Sequence, residues 1–254
     1  MTIFAPQTLV NQINVTTTKP LNIKPMKRFS TLLLAAVAAL TSLHAEIKLV
    51  ETFAYDRDTL ELPTATTAIE VGKWQVSRKA ADALGRSPKL ETHALSYDGY
   101  VGSAQGSVAV LDSLMGSASA SQRISTYYID TLPENGPTTM YAAMLVKPTH
   151  PNKSWRDFLV WEGSLTSSMV RGRVFMKLNG GKVQYGITKN STTITANTEA
   201  NYDVNSTQLL VLKYEVVEGE QNDVVKLYVN PAPNSSESAN TPIVTADAAS
   251  DYTM

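Results

Sequence analysis

The stretch TQLLVLKYEVVEGEQNDVVKLYVNPAP, Thr207 to Pro233, decides the fold class. In its first half Leu210, Leu212, Tyr214 and Val216 alternate with Lys213 and Glu215, a period of two that belongs to a strand and not a helix. EGEQND, Glu218 to Asp223, is a polar break, and Val224 to Val229 resumes with β-branched and aromatic residues. Two such runs joined by a short polar loop predict an antiparallel hairpin. Pro231 ends the second run because it has no N–H for a ladder, and it is expected to hold Asn230 extended. Val224–Val229 is therefore expected to be an inner or near-edge strand.

The same period extends upstream. Met140–Lys147, Asp157–Glu162, Met169–Leu178 and Lys182–Thr188 read as strands between turn signals. In Arg173–Leu178, Val174, Met176 and Leu178 share one face while Arg173, Phe175 and Lys177 share the other. One face of the sheet is expected to be core and the other largely wet. Asn179-Gly180, between two alternating runs, is a hairpin signal. The first half is less regular: ETFAYDRDTLELP and GKWQVS each offer a strand, Lys79–Leu84 a short helix, and the Gly/Ser/Ala-rich Gly102–Gln122 surface loops around a strand at Ser107–Leu111. The expectation is an all-β protein of antiparallel strands folded as a β-sandwich.

Composition limits the chemistry. The chain of 254 residues carries 22 Lys and Arg against 23 Asp and Glu, so no bulk attraction to nucleic acid or anionic lipid is implied. Cysteine is absent, which excludes disulfides, thiolate metal sites and a cysteine nucleophile.

MKRFSTLLLAAVAALTSLHA, Met26 to Ala45, has two cations, an apolar run and a small-residue end. This is the pattern of a secretory signal peptide, with cleavage expected after Ala45. The apolar run is too short for a bilayer core of about 30 Å, so no membrane span is expected in the mature chain. Residues 1–25 precede this pattern and are expected to be an upstream extension outside the domain, with Met26 as the start and 46–254 as one domain. The protein is then secreted or displayed at the cell surface.

YDGYVGSAQGSVAVLD, MYAAMLVK, RGRVFMKLNGGKVQYGIT and the opening stretch, in this order, resemble the laminin-G-like or concanavalin A-like jelly-roll domains of exported bacterial proteins, mostly of unassigned function. The early ETFAY is similar to the Glu-x-Phe-x-Tyr opening of those domains. The resemblance spans roughly Val50 to Ala246 and implies two packed antiparallel sheets. Such domains usually continue beyond the Pro-rich segment, so further strands past Met254 are expected.

Glycoside hydrolases on concanavalin-like folds present alternate strand carboxylates, and Glu218, Glu220 and Asp223 come nearest to that spacing. Gly219, Gln221 and Asn222 put them in a loop, where a solvated turn is the simpler reading and a calcium site from the same oxygens the next. No other cofactor is implied. His93 and His150 stand far apart without a partner motif and read as surface residues. Arg171-Gly172-Arg173 reads as an exposed strand face. Trp155, Trp161 and Tyr185 remain as aromatic carbohydrate candidates, weighed against core packing. The function expected is a binding or structural module, with extracellular polysaccharide or a surface protein as partner. Catalysis, as a polysaccharide hydrolase or lyase on the same fold, is the alternative.

Overall fold

The computed structural model describes residues 49–55, 88–111, 139–161, 171–245 and Asp251 with their side chains. Strands at 2–3, 74–78, 116–117, 120–121 and 123–126, with residues 162 and 170, are described as backbone. The signal-like segment 26–45 and the helix candidate Lys79–Leu84 lie outside the described residues.

In chain order the strands are β1 (Thr2–Ile3), β2 (Trp74–Arg78), β3 (Lys89–Glu91), β4 (Val108–Val110), β5 (Gly116–Ser117), β6 (Ala120–Ser121), β7 (Arg123–Thr126) and β8 (Thr139–Lys147). They continue with β9 (Arg156–Glu162), β10 (Val170–Asn179), β11 (Lys182–Thr188), β12 (Ala196–Asn197), β13 (Tyr202–Asp203), β14 (Gln208–Glu215), β15 (Val224–Val229) and β16 (Ile243–Thr245). The only helical turn among the described residues is the 3-10 turn Glu237–Ala239. No helix among them is long and apolar enough to cross a membrane. The protein is all-β, and its ladders are antiparallel.

The larger sheet runs β16-β15-β14-β8-β1-β4-β3 and the second β12-β11-β10-β9, with β13 also on β11. Thr2–Ile3, upstream of the signal-like segment, is paired by its backbone with both β4 and β8. The hairpin of the opening stretch forms as expected: β14 and β15 pair from Leu210↔Val229 to Glu215↔Val224, and β16 lies beyond, so β15 is second from the edge.

The two sheets share one core. Ala142, Met144, Val146, Leu210, Leu212, Tyr214, Val225 and Leu227 of the larger sheet meet Val174, Met176, Val183, Tyr185 and Ile187 of the smaller. The alternation read from β10 and β14 is the one observed. At about 1.5–3 kcal/mol for each fully buried large apolar side chain, this interface is the main stabilising feature of the molecule.

The opposite face of the larger sheet is not wet. Leu209 and Val211 of β14, Ala143 and Leu145 of β8 and Tyr228 of β15 form a second cluster under Phe53, Leu95 and Tyr100. Every residue of β14 from Gln208 to Tyr214 is buried. QLLVL was the trace of this in the sequence: an unbroken apolar run belongs to a strand covered on both faces. The cover is irregular chain. Glu51–Tyr55 is not a strand: Glu51 accepts the Phe53 N–H and the Tyr55 hydroxyl, each at 2.6 Å, and Phe53 takes a positive φ of 52°.

Two turns differ in detail from the sequence expectation. Asn179 pairs with Lys182 inside the ladder, so Gly180-Gly181 is the hairpin dipeptide. Both glycines have positive φ, 58° and 82°, as a turn matched to strand twist requires. Asn230 is not extended but left-handed, with φ 53°. Proline disfavours the right-handed helical region for the residue before it, and asparagine tolerates the left-handed one. The conformation lets Asn230 close the sheet reciprocally: its N–H donates to the Leu209 carbonyl at 2.7 Å, and its Oδ1 accepts the Leu209 N–H at 2.9 Å.

Candidate functional site

Trp155 and Trp161 are six positions apart, an even number, and in a regular strand both would point to the same face. A bulge separates them. The register on β10 steps from Phe175↔Asp157 to Val174↔Leu159, leaving Phe158 as an extra residue that reverses the alternation beyond it. Leu159 and Trp161 consequently turn into the core, where Trp161 sits edge-on to Tyr214 with ring centroids 6.3 Å apart. Trp155 stays on the outer side with Lys177.

Tyr185 is fully buried. Its hydroxyl donates to Gln208 Oε1, and its ring packs on Tyr202 at 5.5 Å. Burial, which disfavours the phenolate, raises its pKa above the usual tyrosine range. Of the three aromatic candidates, Tyr185 lies in the shared core and Trp161 packs against it, while Trp155 is half-buried on the outer side.

The surroundings of Trp155 are built by backbone contacts. Leu178 near the end of β10 donates its N–H to the Asn152 carbonyl at 2.7 Å, and Ser154 N–H donates to Asn152 Oδ1 at 2.8 Å. These bonds fix the turn that leads into β9. Trp155 is half-buried, and the Lys177 ammonium lies 4.6 Å from its ring centroid, a cation–π contact. Further along this face Arg173 bonds Asp157 at 3.0 Å and lies over the Phe175 ring at 5.8 Å.

The acidic loop does not assemble a site. Glu218 and Glu220 are exposed, whereas Asp223 is buried and turned inward. Asp223 accepts the Tyr214 hydroxyl at 2.6 Å and the Val217 N–H at 2.8 Å, so it serves a buried phenol and the hairpin backbone. Among the described residues no group of three or more His, Asp or Glu is arranged to hold a metal ion. The calcium candidates Glu218, Glu220 and Asp223 are not brought together. His93 is exposed beside Glu91, and His150 is exposed elsewhere. Arg171-Gly172-Arg173 is not the exposed face expected: Arg171 is buried and the Arg173 side chain is 12% exposed, because a bulge at Gly172 breaks the alternation.

Two polar clusters had no signal in the sequence. Glu237, in the turn after the Pro-rich corner, accepts hydrogen bonds from Tyr141 at 2.8 Å, Lys213 at 2.7 Å and Tyr228. Burial alone would raise its pKa, but the bonds from Lys213, Tyr228 and Tyr141 outweigh it and hold the carboxyl at about 2. For Lys213 burial pulls down while Glu215 and Glu237 push up, and the ammonium ends above its ordinary value. Glu215 ties this cluster to Lys226 at 2.9 Å. In the second cluster the fully buried Lys189 meets Asp251, which also accepts the N–H groups of Asn222 and Asp223. Residues 24 and 62 positions apart meet in these pairs, a separation that no periodicity encodes.

No known family, curated protein or solved structure matches the chain.

Proposed function

We propose that this protein is a secreted or surface-displayed carbohydrate-binding module on a β-sandwich of the laminin-G-like, concanavalin A-like jelly-roll kind. The observation that carries the reading is Trp155: a half-buried indole on the outer side of the β9–β10 pair, with its π-face reachable by an ammonium group. Pyranose rings stack on such faces through C–H groups that carry the same partial positive charge as the ammonium, and Lys177 can swing aside on its flexible stem. The hydrolase alternative finds no support in Glu218 and Glu220, which are exposed loop carboxylates and not groups enclosed in a cleft.

Affinity electrophoresis of the full chain through gels containing soluble polysaccharides tests the proposal. Retardation by at least one polysaccharide, abolished in Trp155→Ala and kept in Trp161→Phe, is the expected result. Unretarded migration through every polysaccharide would refute it, as would retardation that survives loss of the indole.

A further inference from the structure

Among the described residues, only the backbone of Thr2–Ile3 ladders β8 to β4: the larger sheet runs β8-β1-β4-β3, with β1 antiparallel to both of its neighbours. Yet β1 lies ahead of the signal-like segment Met26–Ala45, so a chain cleaved after Ala45 does not contain it. The same holds if synthesis starts at Met26. Loss of β1 leaves a lane of two strand spacings, roughly 10 Å, between β8 and β4. Val108, Ala109 and Val146 along this lane are 0%, 3% and 0% exposed, and backbone groups left without partners at buried positions are costly. Closing β4 directly onto β8 would break the cluster in which Phe53, Leu95 and Tyr100 pack with Val108 and Ala109 of one strand and Ala143 and Leu145 of the other.

Another segment of the chain is tied to β4 in a matching register. The Thr52 carbonyl accepts the N–H of Ser107, the residue before β4, at 2.8 Å. Counting back antiparallel from that bond sets Val50 opposite Ala109 and Leu49 opposite Val110, the partners that Ile3 and Thr2 hold. On the other side of the lane β8 offers Val146 and Lys147. The far edge of β4 is taken by β3, so the lane is the edge left open. Leu49 and Val50 lie outside any strand, and Val50 is 48% exposed. A leucine and a valine suit a strand, and both have the N–H that a ladder needs. Glu51 is buried and bonded to the Phe53 N–H and the Tyr55 hydroxyl, so only the residues ahead of it have to turn.

We infer that in the exported chain Leu49–Val50 take the place of Thr2–Ile3 and complete the larger sheet between β8 and β4. This rests on the export part of the reading above and is independent of the ligand.

The chain has no cysteine, so an engineered pair reports this placement without competing thiols. Residues paired across strands stand about 4.5–5.5 Å apart, within disulfide reach. The full chain carrying Leu49→Cys and Lys147→Cys is expressed, the exported protein is collected, and its N-terminus and disulfide are read by mass spectrometry. The expected result is a chain that begins after Ala45 and holds an intramolecular disulfide between the two positions. Thr2→Cys with Lys147→Cys is expected to link in the purified unprocessed chain. In the parent protein, exchange of the Leu49 and Val50 amides is expected to slow about tenfold or more on processing, a readout that does not depend on the variants folding. Free thiols in the processed chain, with those amides exchanging as fast as before, overturn the assignment. A disulfide-linked dimer overturns it too, because the lane then takes a strand from a second copy. An exported chain that still carries residues 1–45 overturns the processing on which the replacement rests, and leaves the carbohydrate ligand to its own test.

Discussion

Lys189 Nζ donates to Asp251 Oδ1 at 2.5 Å, and the lysine side chain is fully buried. The carboxylate is the ion that makes this burial tolerable, and it is held in turn by the N–H groups of Asn222 and Asp223. Burial would raise the Asp251 pKa, but the bonds from Lys189 and the two amides bring it below the ordinary value. Asp251→Asn keeps the shape and removes the charge, leaving an uncompensated buried cation. Urea unfolding is expected to show a loss of about 3 kcal/mol. The double variant Lys189→Met with Asp251→Asn is expected to recover part of that loss, and a double variant as unstable as the sum of the singles would contradict the pairing.

The Glu237 cluster makes an acid-dependent contribution to stability. Its carboxyl titrates at about 2 in the fold against an ordinary 4.5, so the unfolded chain binds the proton more readily. Stability from this group is complete above pH 4.5 and is lost as pH falls through about 2. The side chain is 41% exposed, so the effect is moderated by solvent. The stability difference between the parent protein and Glu237→Gln is expected to narrow over that window in pH-dependent urea melts. A difference that stays constant across it would rule out Glu237 as the titrating group.

Asn230 holds two roles that substitutions can separate. Its backbone is left-handed, and its side chain accepts the Leu209 N–H. Asn230→Ala loses both and is expected to cost about 2 kcal/mol, while Asn230→Gly keeps only the backbone freedom and Asn230→Asp keeps both the acceptor and the tolerance of a left-handed backbone. Asn230→Gly is expected to lose about half as much in thermal or urea unfolding, and Asn230→Asp little. A loss in Asn230→Gly as large as in Asn230→Ala would show that the acceptor alone matters, and no loss in Asn230→Gly that the backbone alone does.

Gly106 lies against the cover of the larger sheet with φ 67°, and a Cβ there would stand 2.1 Å from the Thr52 carbonyl oxygen. Since that atom is backbone, the alanine cannot be accommodated by a side-chain rotation. Gly106→Ala is expected to destabilise by about 2 kcal/mol or more, read as a lowered melting temperature. Gly180→Ala, in a turn with open space around it, serves as the comparison and is expected to lose only the cost of a left-handed alanine, about 1 kcal/mol.

The strands of the second half were legible because each carries its own period and its own turn: β10, β11, β14 and β15 lie where alternation and turn signals put them. The cover over Leu209 and Val211 was not, because Glu51–Tyr55 and Leu95–Tyr100 pack without regular backbone and so leave no period. At the candidate site the residue types could be read and their directions could not. Trp155, Trp161 and Tyr185 are alike as letters, yet a bulge at Phe158 sends the first two to opposite faces. The ion pairs of Lys189 and Lys213 join residues from distant loops, and the acidic loop drew attention by charge density while its one buried member, Asp223, serves Tyr214.

Strand Gln208–Glu215 is laddered on both edges, by β8 and by β15, and covered above and below. Its amide protons therefore have no local route to water: neither fraying of an edge nor lifting of one layer uncovers them. Deuterium enters them only when the whole molecule opens, so their exchange rates, converted to free energies, report the global stability of the domain. Amides of the edge strand β16 exchange through smaller openings, and the gap between the two rates measures how much of the sheet can come apart while its centre holds.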